Sequence, residues 1–452
     1  MLRLVAYCKD KGFVFPGSEI YGGLANSWDY GPLGVELKNN IKRLWWKTYI
    51  QDNENAYGLD CAILMNPEVW KASGHLTSFS DPLMDCKECK ARFRADTLIE
   101  DFSKGSVCAD GMTNEQMEQW IQQHNVACPL CKKHNFTNIR QFNLMFKTNR
   151  GVVENDASAV FLRPETAQGQ YVNFFNVQRS QRAKVPFGIG QIGKSFRNEI
   201  TPGNFTFRTI EFEQMEFQWF CRPGEDEKFY QYFKQKAHDF SCELGLKNEE
   251  LKYHNHEKLA FYAKSACDVY FQFPFGLSEL AGIHNRTNYD LKKHQECSGK
   301  QMEYMDPITN EKFVPYIVET SFGADRSALA VLSSALKVEK LEDGSEREIL
   351  DISLKLAPIK AAIFPLIKKN HATKAEQVYA EFRKHLRCVY DDTASIGKRY
   401  RRQDSIGTPF CVTVDDETLK NGNVTLRNRN TMEQTTMDIA SAISYVISQT
   451  QI

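Results

Sequence analysis

The stretch SFRNEITPGNFTFRTIEFEQMEFQWF, Ser195–Phe220, limits what this chain can fold into. It reads as a short strand, a turn and a long strand carrying Arg208, Glu211, Glu213 and Glu216. A strand packed on a core alternates apolar and polar residues. Here Arg208, Phe212 and Glu216 share one face, while Phe207, Glu211, Glu213 and Met215 share the other. Neither face is apolar throughout, so sheet packing alone does not account for the stretch. Three further segments set charges among apolar neighbours: LRPETAQGQYVNFFN, SELAGIHNRTNYDL and YIVETSFGADRSALAVL. Buried charge needs partners, and convergent polar groups on an apolar scaffold mark a ligand pocket. In the last segment Gly323 lets a helix start close to a bound group, with Arg326 on its first turns.

A chain of 452 residues holds two or three domains. From Met1 to about Lys337 it reads as mixed strands and helices, with an amphipathic helix in GVELKNNIKRLWWKTYI whose Leu37, Ile41, Leu44 and Trp45 fall on one side. The polar KVEKLEDGSEREIL reads as a linker or an exposed hairpin. Beyond it IKAAIFPLI, KAEQVYAEFRKHL and PFCVTV alternate strand and helix, which predicts a small α/β domain from about Leu356 onward. Basic and acidic residues balance at 57 each, so a nucleic-acid partner needs a local basic patch. IGKRYRRQD supplies one: Lys398, Arg399, Arg401 and Arg402 are candidates for phosphate contacts, with Tyr400 for stacking. MLRLVAYCKDKGFVFPG has no signal-peptide run, and no stretch of about 18 apolar residues predicts a membrane span.

Thirteen cysteines, mostly scattered singly, suit a reducing compartment, and a cytoplasmic location is expected. Four of them cluster as two CxxC pairs, Cys86 with Cys89 and Cys128 with Cys131. Pairs at this spacing each take two corners of a tetrahedral zinc site, and four thiolates leave no open position, so such a zinc would be structural. The alternative is four free thiols. Between the pairs, TNEQMEQWIQQH reads as a helix with Thr113 and Gln116 forming a capping box.

FRNE, a loop, and then RTIEF resembles the second signature of class II aminoacyl-tRNA synthetases, and GADR resembles the third. With RPETAQG, YGPLGVELKNN, MNPEVWKASGH and EFEQME the chain is similar, over nearly its whole length, to the dimeric, bacterial and eukaryotic-like glycyl-tRNA synthetases. The resemblance implies an α+β catalytic domain over 1–350, built on an antiparallel sheet flanked by helices. It also implies a zinc-knuckle insertion at 81–145 and an anticodon-binding α/β domain over 356–452. Glycine would be joined to the α-phosphate of ATP and passed to tRNA(Gly), with magnesium accompanying ATP. The helix after Gly34 would contribute to a homodimer interface.

Residue by residue, the resemblance places Arg197 on the α-phosphate, Glu199 on the adenine amino group or the tRNA end, and Phe212 against adenine. Arg208 and Arg326 would face the outer phosphates, and Glu279 the metal ions. Asn198, Phe207, Glu211, Leu280, Gly323 and Asp325 are carried over with them to the nucleotide. Glu165, Glu216 and Glu319 would surround the glycine ammonium, with Ser321, Phe212 and Gly323 alongside and Arg94 and Arg286 as further pocket charges. Glycine binding is then expected to weaken as pH falls through the carboxylate range. No histidine receives a role.

Three departures stand out: Ile210 where the family commonly has arginine, Thr320 where it has proline, and LRNRNTMEQ in place of VRDRDTMEQ. An isoleucine on the ligand side of the strand would remove a cation from a triphosphate site. That favours a rival reading, a synthetase-like nucleic-acid-binding protein without catalytic activity. A sister synthetase for serine or alanine is the third reading.

Overall fold

The computed structural model describes residues 1–452 apart from 110, 153–154, 200–202, 257–258, 260–261, 341–343 and 345. Aromatic residues, which fit a pleated, packed surface, recur along the strands Phe187–Phe196, Glu211–Cys221 and Ser265–Phe273. Ala56–Gly58 (β1), Phe187–Phe196 (β2), Glu211–Cys221 (β3), Leu251–Asn255 (β4), Ser265–Phe273 (β5), Gly276–Thr287 (β6) and Tyr316–Gly323 (β7) form one sheet in the order β4-β5-β6-β7-β3-β2-β1. Every pairing is antiparallel except that of β1 with β2.

Alternation along β3 sends Met215, Phe217 and Trp219 to an apolar face. There they pack with Tyr49 and with Phe233 of the helix Asp226–Glu243. The opposite face carries Gln214, Glu216 and Gln218, and it is buried too. A sheet that hides a polar face must satisfy it internally or keep it for a ligand.

Strand β3 starts at Glu211, later than the alternation predicts. Phe205–Phe207 form a 3₁₀ turn, with Asn204 and Phe205 both at positive φ, so the period of two fails before Arg208. Phe207 and Arg208 consequently line the same cavity instead of opposite faces.

Helix α1 (Pro32–Trp46) has proline at its first position and buries Leu37, Ile41, Leu44 and Trp45 within the chain. Its Lys38 is buried as well, at 2.7 Å from Asp325 and 3.0 Å from Glu213. Asp325 opens helix α4 (Ala324–Ala335), and its second oxygen accepts the Glu213 amide at 2.7 Å. Three segments distant in sequence are thereby tied beside the end of β7. Two more helices serve the site: α2 (Ala167–Val172) and α3 (Tyr289–Ser298).

The strands Ser80–Asp85, Arg92–Arg94 and Arg140–Asn143 make a separate three-stranded sheet over its own core of Met84, Leu98, Ile99, Met117 and Ile121. The capping box of Thr113 and Gln116 is present. KVEKLEDGSEREIL contributes an antiparallel hairpin, Leu336–Lys340 with Glu346–Leu350. The last sheet joins Ala361–Pro365 (β8), Cys388–Tyr390 (β9), Phe410–Val414 (β10), Asn423–Asn428 (β11) and Gln434–Asp438 (β12) in the order β9-β8-β10-β11-β12. Helix α5 (Lys368–Arg383) packs on it, and α6 (Ile396–Asp404) lies between β9 and β10 in sequence. Leu356 and Ala357 belong to the first core and Ala361 and Ile363 to the second. Among the described residues no helix is long and apolar enough to cross a membrane.

Candidate active site

Register brings the polar side chains together. On β7, Glu319 lies opposite Gln218 of β3 and His284 of β6. One step along, Ser321 lies opposite Glu216 and Gly282. Glu165, in the segment entering α2, completes the wall of a cavity of about 220 Å³. Glu165, Glu216 and Glu319 all line it, with Ser321, Arg286, Phe212 and Gly323.

Three carboxylates this close cannot all ionise cheaply, and the cations are shared unequally. Glu165 faces His75 Nε2 at 3.5 Å and accepts Gln168 Nε2 at 2.9 Å. Glu319 accepts His284 Nδ1 at 3.0 Å, Arg286 Nη1 at 3.3 Å, Gln218 Nε2 at 2.9 Å and Tyr171 OH at 3.2 Å. Burial opposes the charge of both acids, but the contacts with His75 on Glu165 and with Arg286 and His284 on Glu319 outweigh it and hold both below the usual carboxylate range. Among the described residues the hydrogen-bond partners of Glu216 are neutral: Gln214 Nε2 at 2.9 Å, Ser321 Oγ at 3.1 Å and Thr166 Oγ1. Burial and the two other acids push its carboxyl up to about 8. The free cavity therefore keeps one proton on Glu216 at neutral pH, which a small cation binding there would displace.

The other half of the cavity is cationic and aromatic. Arg197 lies between the rings of Phe79 and Phe212, 5.3 Å from each centroid, with Nε donating to the Pro164 carbonyl at 3.0 Å. Arg326 lies 4.3 Å over the Phe207 ring and pairs with Glu279 at 3.1 Å. Arg208, Glu199 and Asp325 line the same space. A fixed guanidinium on aromatic rings is a preorganised, permanently charged fork for phosphate oxygens.

Four expected residues lie elsewhere. Arg94 is bound to Asp96 at 2.6 Å and Asp81 at 3.0 Å within the insertion sheet and does not reach the cavity. Glu211 points to solvent, paired with Lys194 at 2.5 Å. Leu280 is in the apolar core, and Asn198 joins the Leu144 carbonyl through its amide. Ile210 precedes β3 and is not part of the cavity lining. Thr320 pairs through its backbone with Phe217 and Ile283, and ladders on both sides keep the strand in place without proline.

Helix α6 divides its basic residues. Lys398, Arg401 and Arg402 are exposed, whereas Arg399 is only 4% exposed and clamps the preceding loop through the carbonyls of Pro365, Thr393 and Ala394. Tyr400 is committed to the fold: its ring meets Phe364 and Arg427, and its hydroxyl meets Thr413 at 2.7 Å.

The family described as tRNA synthetase class II core domain (G, H, P, S and T) matches residues 121–335, and the one described as Anticodon binding domain matches 360–449. The glycine–tRNA ligase of Clostridium acetobutylicum is 58% identical, over 99% of this chain and 98% of the relative. That of Geobacillus kaustophilus is 55% identical, over 99% and 98%. The chain belongs to the glycine–tRNA ligase family. The RNA binding domain of threonyl-tRNA synthetase from Cryptosporidium parvum shares the fold, with a TM-score of 0.66 at 15% identity over 98% of this chain and 97% of that one.

For a glycine–tRNA ligase family member, the cysteine cluster is the remaining piece of chemistry. The sulfurs of Cys86, Cys89, Cys128 and Cys131 lie within 4.8 Å of one another, with Cys86–Cys131 at 3.5 Å and Cys89–Cys128 at 3.7 Å. Zn–S bonds of about 2.3 Å need tetrahedron edges of about 3.8 Å, so the cluster fits zinc.

Two histidines escaped the sequence reading: His284, which lines the ligase cavity, and His75, which stands behind Glu165. His284 carried a readable signal, since it stands two residues before Arg286 on one strand face. His75 carried none. Its ring is held between Trp70 and Phe79, with Nδ1 at 2.7 Å from Ser73 Oγ, and only the folded chain brings it to Glu165.

Proposed function

We propose that the chain activates glycine with ATP and transfers it to the 3′ end of tRNA(Gly). The observation that carries this is the joining, in one cavity, of two buried carboxylates, Glu216 and Glu319, and the half-buried Glu165 with two ring-stacked arginines. The acids suit an ammonium group. The arginines suit the phosphates of a nucleotide whose adenine would stack on Phe212. Glycine's carboxylate would attack the α-phosphorus and pyrophosphate would leave; the terminal ribose hydroxyl of the tRNA would then attack the carbonyl, releasing AMP. Little covalent work falls to the protein, so positioning and fixed charge do most of it. Arg197 would meet the charge developing on the α-phosphate. Magnesium bound with ATP would neutralise phosphate charge, and Glu279 is the acid placed to hold it. Amino-acid-dependent pyrophosphate–ATP exchange, run across a panel of amino acids, tests the reading. Exchange with glycine alone is expected; exchange with serine or alanine instead, or with none, contradicts it.

We place tRNA contacts on the exposed Lys398 and Arg401 and on Arg402, whose exposed guanidinium also pairs with Asp391 and Thr393 of the loop, and withdraw the buried Arg399 and the sheet-bound Tyr400. Neutralising the three should weaken tRNA binding and lower its salt slope by about one per lost phosphate contact. Unchanged tRNA binding alongside normal glycine activation would remove the role. A structural zinc on the four cysteines would stabilise the insertion, and metal analysis decides it. A homodimer through the α1 region and a cytoplasmic location follow the same reading, the first testable by light scattering and the second by fractionation.

A further inference from the structure

His284 stands on β6 between acids of both neighbouring strands. Toward β7, its Nδ1 donates to Glu319 at 3.0 Å. Toward β5 it faces Asp268 across Gly282: a β-carbon at 282 would lie 2.9 Å from His284 Cε1 and 3.4 Å from Asp268 Oδ1. Asp268 itself takes His256 Nε2 at 2.8 Å. The row runs His256, Asp268, His284, Glu319, Arg286, Asp290, alternating basic with acidic groups from the sheet edge into the cavity. Facing the imidazole are therefore Glu319 from β7, Asp268 from β5, and Arg286 and the cavity-lining Glu279 from its own strand.

Resting on the glycine-activation reading, we propose that His284 is a positioning residue of the amino-acid subsite: it holds Glu319 through Nδ1 and carries a proton whose charge opposes the incoming ammonium. Arg286 already keeps Glu319 ionised, so a second cation on that acid is not needed for its charge. Burial works against a charged imidazole, yet Glu319 and Asp268 outweigh burial and Arg286, and its pKa stands above the ordinary value. Below that pKa the imidazolium repels the ammonium; above it the neutral ring still donates its Nδ1 hydrogen. Glycine affinity therefore rises with pH, and by linkage glycine binding expels the proton. Glu216 acts in the same direction, which is why the two must be separated by substitution.

His284→Gln keeps a donor but cannot be charged. In glycine-dependent exchange its KM for glycine is expected to be about three- to tenfold below wild type near pH 6, as loss of one nearby charge dictates. As pH rises past the wild-type ring's raised pKa and the ring becomes neutral, the two should converge. A ratio that does not change with pH, or a variant with the higher KM at acid pH, overturns the proposal. Should His284→Gln not fold, calorimetry of wild type in buffers of different protonation enthalpy decides. Glu216 accounts for at most one proton, so release of more than one per glycine near pH 6, below the ordinary imidazole value, supports the role and one or fewer overturns it. Absence of any glycine-dependent exchange in wild type would strike the function itself, whereas exchange with a flat ratio strikes only His284.

Discussion

Replacing Arg197 with alanine is expected to lower glycine-dependent pyrophosphate–ATP exchange by about 10²–10³-fold, with most of the loss in kcat. A group that meets charge built only in the transition state affects the rate more than ground-state binding. Arg197 fits that description because its position is settled beforehand: two aromatic rings flank the guanidinium and the Pro164 carbonyl holds Nε. Arg197→Lys should recover little, since an ammonium cannot span two oxygens or stack between rings. A variant that loses activity through a raised KM for ATP alone, with kcat intact, would show that Arg197 holds ATP without serving the chemistry.

Arg286→Met should cost about 3–5 kcal/mol of stability at neutral pH, because it strands buried acids. Arg286 meets Asp290 through two bonds, at 2.8 and 2.9 Å, reaches Glu319, and lies 4.0 Å from the Tyr262 ring centroid. Its removal leaves Asp290 without its bidentate partner and Glu319 with only His284, Gln218 and Tyr171, in a nearly dry site. The pH dependence has a definite sign. Although burial acts to raise it, Glu319 is held below its ordinary value, chiefly by Arg286. The stabilisation from that depression is full above the unfolded carboxylate value of about 4.3 and is lost as pH falls through the lower folded one. The gap between wild type and Arg286→Met in urea unfolding should therefore narrow in acid. Adding Asp290→Asn should recover part of the loss at neutral pH. A single variant as stable as wild type would mean that the two acids are compensated in some other way.

Much of the site was legible because sheet alternation has a period of two. Phe212 and Glu216 could be placed on one face from Ser195–Phe220 alone, and they do line the cavity. Phe207 could not, because a turn with two residues at positive φ precedes the strand and alternation does not extend through it. Long-range pairing was equally hidden. Nothing around Arg94 announces that Asp81 and Asp96 hold it, and nothing near His75 points to Glu165. Helix α6 is an intermediate case. Helical spacing alone separates Arg399 and Gln403, which turn inward, from Lys398, Arg401 and Arg402, which turn out. Treating the basic run as a single patch overlooked that division.

The change of sheet type along the chain was legible for a different reason. The change from mixed segments to alternating strand and helix follows the change from an antiparallel to a partly parallel sheet.

The most direct measurement is a crystal structure with a non-hydrolysable glycyl-adenylate analogue. Its amino group should sit among Glu165, Glu216 and Glu319 within hydrogen-bond reach, with the phosphate-mimicking group against Arg197 and the adenine on Phe212. An analogue seated outside that cavity, or one whose amine faces the arginines, would contradict the account.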